Sequence, residues 1–410
     1  MPDMKTCTQC LLTESTPGIS FDGNGVCNYC ATYTSKLETL GESKLIELLR
    51  LYKAKNRNGK YDCMIGLSGG RDSTYTLYKL VKDYGMRVLC IHYDNPFTSP
   101  QAYENMRRAS EILGVDIVRW QFPEGEHVKA TKKALHIWAK RPSSALIPIV
   151  CAHCKNWWPS IFKIARQHDI SLIVIGSNPL ETASFKKAGF GGARTYHKLT
   201  NVPRIVMRAA KEIMANPGYL TLSWKLILSM YLGASHSSPY LRRRYSDIKV
   251  IRLFDYIPWD EREVEEKAKT HLGWEKSPEV ESSWRFDCRL DYVRRKMYAE
   301  TVGVTELRDL FSKMIREGMM TREEAAARLQ RFGPNEIREK GLHPILSFLG
   351  FFWAPIPWMI EVAAILAAVI RHWETFAIII AMLLVNAGVG FWQRQKADHA
   401  IALLKQQMAL

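Results

Sequence analysis

The chain has 410 residues, a formal charge of +16 from 57 basic against 41 acidic side chains, and 47% hydrophobic residues. That length and apolar content exclude a disordered chain and leave room for two or three domains with sizeable cores. The charge suits phosphate-rich substrates, nucleic acid or an anionic membrane surface, while nine cysteines, six of them in CxxC pairs, point away from a secreted disulfide scaffold toward metal or redox chemistry in a reducing compartment.

Met1 to Lys5 shows no signal-peptide pattern. Cys7-Thr-Gln-Cys10 and Cys27-Asn-Tyr-Cys30 are separated by sixteen residues, the spacing of a four-cysteine zinc ribbon. Four thiolates would close a tetrahedral, structural Zn2+ site, and Pro17-Gly18 with Asp22-Gly23-Asn24-Gly25 supplies its turns. Ser43 to Lys55 alternates at helical spacing. Tyr61 to Leu67 is an apolar run suited to a buried parallel strand, and Leu77, Leu80, Val81 and Tyr84 recur at helical spacing after it.

Between that strand and helix stands Ser68-Gly69-Gly70-Arg71-Asp72-Ser73. Adjacent glycines let the backbone approach an anion closely, and the free N–H groups of the following helix favour negative charge. Neither the lysine of a Walker loop nor GxGxxG occurs at this turn. Arg87 to His92 is a second strand, Pro100 to Leu113 a helix and Val115 to Phe122 a third strand. This alternation predicts a doubly wound parallel sheet, whose ligands sit beyond the carboxyl ends of the strands. His92, Asp94 and Asn95 then either lie near a nucleotide or cap the next turn.

Cys151-Ala-His-Cys154 opens another helix. One pair cannot fill a tetrahedral site, so these thiols either share a metal or iron–sulfur cluster with a distant cysteine such as Cys288, form a redox pair, or are simply half-buried. Cys63 and Cys90 read as core residues, and His153 as exposed. Ser171 to Ile175 is a strand ending in Gly176-Ser177-Asn178-Pro179-Leu180-Glu181. There Gly176 and Asn178 either meet the nucleotide or form an ordinary turn, and Glu181 is a candidate for a proton or Mg2+. Pro203 to Leu232 reads as a helical cap or interface, Leu241 to Arg244 as a basic patch that is either a solvated face or a site for substrate phosphates, Val250 to Phe254 as a strand and Glu261 to Leu272 as a charged helix. From Trp358 to Ile370 and from Phe376 to Trp392 the chain is nearly uncharged, predicting a transmembrane hairpin at about 348–370 and 375–393. Arg394, Lys396 and Lys405 place both chain ends on the cytoplasmic side.

The loop Ser68 to Ser73 resembles the SGGxDS loop of the PP-loop ATP pyrophosphatases, whose fold is adenine-nucleotide alpha-hydrolase-like. With the cysteine pairs, Gly176 to Pro179, Ile257-Pro-Trp-Asp-Glu261, Trp284-Arg-Phe-Asp-Cys288, Ile315 to Gly318 and Thr321 to Ala325, the chain from Cys7 to about Ala326 is similar to the N-acetyl sugar amidotransferases of surface-polysaccharide biosynthesis. That resemblance implies an ATP- and Mg2+-dependent, AMP-forming amidation of a nucleotide-linked N-acetyl sugar, with ammonia from a glutaminase subunit. It implies ATP binding by Ser68, Gly69, Gly70, Asp72, Ser73, Asp94, Gly176 and Asn178. Asp72 and Arg71 are the catalytic candidates, Arg71 standing where the family has lysine. The alternative is PP-loop transfer-RNA thiolation, with Cys151, Cys154 and Cys288 as ligands of an iron–sulfur cluster. Nucleic acid is otherwise not an expected partner.

Gln330 to Ile337, Phe352 to Glu361 and Asn386 to Trp392 resemble the beginning of a plasma-membrane proton-pumping P-type ATPase. The phosphorylated-aspartate motif DKTGT does not occur in the 410 residues, so the resemblance implies no pumping by this segment alone. The expected organisation is a zinc ribbon (1–40), a PP-loop core (41–200), the remaining helical and α/β part (201–326) and the ATPase-like segment (327–410). The two resemblances meet within Thr321 to Leu329, as in either a gene-assembly chimera or a fusion tethering a cytoplasmic enzyme to the inner membrane. A rival class is a non-catalytic transporter fragment or membrane tether.

Overall fold

Five short segments, apolar along the central strands and partly charged in β3 and β5, form one sheet: β1 (Cys63–Gly66), β2 (Val88–Tyr93), β3 (Asp116–Trp120), β4 (Leu172–Ile175) and β5 (Lys249–Arg252). The structure, a computed structural model, describes residues 4–35, 37–144, 147–151, 153–181, 184, 202–222, 236, 238–278, 280, 282–332 and 364–383. Every neighbouring pair of strands is parallel and the order is β3-β2-β1-β4-β5. The α/β class and parallel sheet are therefore as expected. A parallel sheet is covered on both faces, and β2 is accordingly buried along its whole length. At the centre, Ile65 lies beside Cys90 on one side and Val174 on the other. Cys63 and Cys90 are core residues, and burial pushes both thiols up.

The chain winds outward from β1 to β3, then returns to the opposite side of β1 as β4. Connections therefore leave in opposite directions on either side of β1 and β4. Their carboxyl ends flank a crevice, the place where open sheets of this kind take ligands.

Among the described residues of the first unit, ten α-helices have eight or more residues: α1 (Glu42–Lys55), α2 (Arg71–Tyr78), α3 (Pro100–Leu113), α4 (Glu126–Lys140), α5 (Trp158–Gln167), α6 (Val202–Ala215), α7 (Glu261–Leu272), α8 (Leu290–Val302), α9 (Glu306–Arg316) and α10 (Arg322–Phe332). The limits of α3 and α7 match the sequence expectation because each carries complete stop signals. Ser99 and Asp260 accept hydrogen bonds from the first-turn amides, and Gly114 and Gly273 end the helices in the left-handed region. The strand expected through Phe254 stops at Arg252, because Leu253 and Phe254 turn into the core in a short 3-10 segment.

Two compact units divide the chain, Met1–Glu336 and Ile337–Leu410. The first runs past Ala326: Ala325 is fully buried, and Ala326 and Leu329 of α10 pack on the main core. In the second, residues 364–369 and 373–383 are helical, joined through Arg371 at φ +61°. Ile365, Leu366, Val369, Trp373, Ile378 and Met382 are exposed. The expected spans at about 348–370 and 375–393 lie largely outside the described residues. Among those described, no helix is long and apolar enough to cross a membrane.

Candidate functional site

The loop after β1 turns sharply at Gly69, whose φ is +77°. A Cβ there would lie 2.2 Å from the carbonyl oxygen of Ala102 in α3, so only glycine fits. The Gly69 carbonyl accepts from Asn105 Nδ2 and Trp274 Nε1, each at 3.1 Å, which pins the turn from behind. Ser68 Oγ and Ser73 Oγ lie 3.1 Å apart, and Gly70 N–H donates to Ser68 Oγ at 3.2 Å. No side chain caps the N-terminus of α2, so its first-turn amides are available to an anion.

Ser68, Gly70, Ser73, Gly66, Ile175, Gly176 and Ser177 border a cavity of about 440 Å³ at the crevice between β1 and β4. Gly176 owes its place to packing as well, since a Cβ would meet Thr76 Oγ1 at 2.7 Å.

Arg71 also borders the cavity but turns toward α7, being only 3% exposed. Its Nη1 donates to Glu261 Oε1 at 2.5 Å and to Ser283 Oγ at 2.8 Å, and its Nε lies 3.4 Å from Asp72 Oδ1. Asp72 is held on both oxygens, Oδ2 accepting from Asn178 Nδ2 at 2.8 Å and Oδ1 from Trp259 Nε1 at 3.1 Å. The second oxygen of Glu261 meets Arg328 of α10 at 2.8 Å. Loop, α7 and α10 are thus joined by one buried charge chain. Removing a partner from such a chain leaves a buried cation poorly compensated. Glu261→Gln is expected to lower unfolding free energy by about 2 kcal/mol in a urea titration, softened because Asp72 and Ser283 remain with Arg71.

Asp94 does not line the cavity. Its oxygens accept from Tyr103 Oη and from Arg119 Nη2, the latter at 2.6 Å, and its neighbour Asn95 takes the place at the rim. Asn178 acts through Asp72, and the arginines of Leu241–Arg244 remain exposed on a short helix. His92 is buried with Nδ1 2.9 Å from Leu67 O, and burial lowers its pKa.

The loop before α8 supplies residues the sequence reading had not placed in the site. Asp287 and Arg285 line the cavity, as does Glu181. Burial raises the Glu181 carboxyl and also that of Asp287, whose Oδ2 lies 3.4 Å from where a Cβ on Gly70 would stand. Arg294 pairs with Asp291 and, at 2.7 Å, with Glu306. The signal in the sequence was acidic and basic residues crowded beside Cys288, but their destination depends on backbone pairing. Ser99 N–H donates to Asp287 O and Arg289 N–H to Phe97 O, stitching this loop to the one after β2.

That stitching brings Cys288 to Cys151 and Cys154, and all three line the cavity. Asn95 Nδ2 lies 3.8 Å from Cys154 Sγ and 3.6 Å from Cys288 Sγ. Burial pushes the Cys288 thiol up to about 12. His153 between the pair is buried rather than exposed, its ring stacked 4.7 Å from that of His127 and its Nε2 3.3 Å from Glu126 Oε1. The surrounding aromatic rings, Phe122 among them, enclose it.

Away from the cavity, the sulfurs of Cys7, Cys10, Cys27 and Cys30 all lie within 4.8 Å of one another. Cys7 to Cys30 is 3.9 Å and Cys10 to Cys27 3.8 Å. A tetrahedron of sulfurs about 2.3 Å from a zinc ion has edges of about 3.8 Å, so the donor set and its spacing fit that metal. Arg316 donates to Cys30 Sγ at 3.2 Å and to Cys10 Sγ at 3.4 Å, supplying positive charge to the thiolates. Hydrogen bonds from Cys27 and Cys30 hold the Cys10 thiol well below its ordinary pKa.

The family described as Cation transporter/ATPase, N-terminus matches residues 300–367. A cation-transporting ATPase of Methanocaldococcus jannaschii is 51% identical over 114 residues, 28% of this chain and 14% of that protein. A plasma membrane ATPase of Dictyostelium discoideum is 35% identical over 141 residues, 34% of this chain and 13% of that protein. The chain thus spans only about a seventh of these curated relatives. Among solved structures, the NMN synthetase of Francisella tularensis is 14% identical with a TM-score of 0.34, covering 74% of this chain and 96% of that one. A U34-tRNA thiolase of Methanococcus maripaludis, solved with a 4Fe-4S cluster, is 15% identical with a TM-score of 0.28, covering 80% and 88%. The ATPase match begins in α8 and includes α9 and α10, which pack within the first unit.

Proposed function

We propose that residues 1–332 form an ATP-dependent, AMP-forming amidotransferase acting on a nucleotide-linked N-acetyl sugar. The observation that carries the reading is the glycine turn at Ser68 to Ser73, set at the switch point of a parallel sheet beside an uncapped helix N-terminus. Ser68, Gly69, Gly70 and Ser73 would cradle the pyrophosphate. An oxygen of the acceptor attacks the α-phosphorus, pyrophosphate leaves, and ammonia then displaces AMP from the activated carbon, its surplus proton passing to a base or water. Magnesium accompanying ATP would meet Asp287 rather than Asp72, whose two oxygens already accept from Asn178 and Trp259. Gly176, just after β4, packs closely on the start of α2 and would border the bound nucleotide. A separate glutaminase subunit would supply the ammonia, and the ATPase-like segment would act as a tether to the inner membrane with the enzyme on the cytoplasmic side.

Incubating the full chain with ATP, ammonium and a series of nucleotide-linked N-acetyl sugars is expected to release AMP and pyrophosphate in equal amounts, dependent on both sugar and ammonium. Release of ADP and phosphate would sink the reading. A second reading is favoured by one observation, the three thiols of Cys151, Cys154 and Cys288 on the same cavity. An iron–sulfur cluster would suit them, with chemistry delivering sulfur to an adenylated nucleotide of transfer RNA. Iron and labile sulfide in the purified chain, together with thiolation of transfer RNA and silence toward the sugars, would put this reading first.

A further inference from the structure

Three arginines line the cavity, and two of them are answered by the protein. Arg71 is paired with Glu261, and Arg294 with Asp291 and Glu306. Arg285 is different. Each of the three has one buried nitrogen without a partner, Arg71 Nη2, Arg294 Nε and Arg285 Nε, but among the described residues Arg285 alone of them forms no ion pair or hydrogen bond. Its guanidinium lies against the ring of Trp284, 5.0 Å from the centroid, and that ring is buried and backed by Arg295 at 5.2 Å. The residue is also held at φ +52°, a conformation that a residue with a side chain adopts only at a cost. A strained backbone thus presents a propped, hydrogen-bond-free guanidinium to the cavity. A partly desolvated arginine in direct contact with no carboxylate is stabilised by an oxyanion, which it binds through paired N–H groups.

We propose that Arg285 is the binding residue for an oxyanion of the acceptor substrate, a phosphate or carboxylate group, in a subsite separate from the nucleotide cradle. The inference rests on the adenylating reading of the cavity. The separation is part of the proposal: Arg285 packs on Trp284 in the loop before α8, whereas Ser68–Ser73 follows β1. Asp287, two residues further on, is the group of this loop that lies beside the glycine turn, its Oδ2 3.4 Å from where a Cβ on Gly70 would stand. One short loop thereby serves both halves of the cavity, Asp287 toward the nucleotide and Arg285 toward the acceptor.

The test uses the full chain saturated with α,β-methylene-ATP and titrated calorimetrically with inorganic phosphate and, separately, with acetate. The wild-type protein is expected to bind at least one of these anions with the nucleotide analogue in place, and the tighter of the two identifies the acceptor group. Arg285→Gln is expected to weaken that anion tenfold or more while leaving the analogue's affinity within about twofold; Arg285→Lys, which keeps the charge without the fork, is expected to fall between. A thermal melt checks folding, and the lysine variant carries the comparison if the glutamine variant unfolds. The proposal is overturned if the anion competes with the analogue, if Arg285→Gln weakens the analogue instead, or if neither anion binds the wild type. Failure of the analogue itself to bind would remove the adenylating reading, and the effect of Arg285→Gln on the anion alone would still decide this site.

Discussion

Gly69→Ala is expected to abolish nucleotide binding and to destabilise the first unit by about 4 kcal/mol or more, the range reached when backbone strain and overpacking coincide. The added methyl would meet Ala102 O at 2.2 Å, Ala102 C at 2.7 Å and Ala102 Cα at 2.8 Å, all backbone atoms of α3 that no rotamer change can move. The φ of +77° adds a further cost of about 1 kcal/mol for any residue with a Cβ. The loop cannot shift aside cheaply, because Asn105 and Trp274 both donate to the Gly69 carbonyl. Displacement by even about 1 Å would cost on the order of a hundredfold in a reaction that depends on phosphate positioning. Gly114→Ala serves as the control: its φ is +64°, but nothing lies within 4 Å of the added carbon. It should cost about 1 kcal/mol and leave ATP affinity alone. Urea midpoints and a nucleotide titration measure both, and normal ATP binding by Gly69→Ala would contradict the cradle.

The strands and the glycine turn were legible in the sequence because each is local. Apolar runs of four to six residues bounded by turns mark β1, β2 and β4, and Pro100 with Gly114 marks the limits of α3. What was not legible depends on contacts between distant parts of the chain. Arg71 stands in the glycine turn proposed to hold phosphate, yet its guanidinium goes to Glu261, 190 residues away. Asp72 reads as a catalytic candidate, but Asn178 and Trp259 already donate to its two oxygens. Asp94 sits at a strand end, where ligands are expected, but Arg119 on the neighbouring strand takes its charge. Cys288 joins Cys151 and Cys154 only because the loops after β2 and before α8 exchange backbone hydrogen bonds. His153 looked exposed from its type, whereas the stacking of His127 and Phe122 that buries it has no local signature.

Removing the metal expected at Cys7, Cys10, Cys27 and Cys30 is predicted to have the other large effect, and to reach the cavity. The purified chain should carry one zinc ion held by these four thiolates. Stripping it with a chelator under mild denaturant, or replacing Cys10 by serine, should lower the melting temperature by about 10 °C or more, since structural zinc contributes folding energy directly. The site is fastened to the end of the first unit. Arg316 of α9 donates to two of the sulfurs, and Leu11 N–H donates to Ser312 Oγ at 3.2 Å. Tyr33 Oη and Ser35 Oγ donate to the two oxygens of Glu317 at 2.6 and 2.7 Å. Arg322, at the start of α10, donates to the carbonyls of Cys10 and Cys7. Losing the metal therefore loosens α9 and α10 together. From α10 the path continues through Arg328 to Glu261 and Arg71, so the backbone of the cradle should lose part of its support. Zinc content, a thermal melt and ATP affinity measured on one preparation separate the steps. A stripped chain with an unchanged melting temperature would show the four cysteines to be passive core residues, while a lowered melt with unchanged ATP affinity would break the link from α10 to the loop.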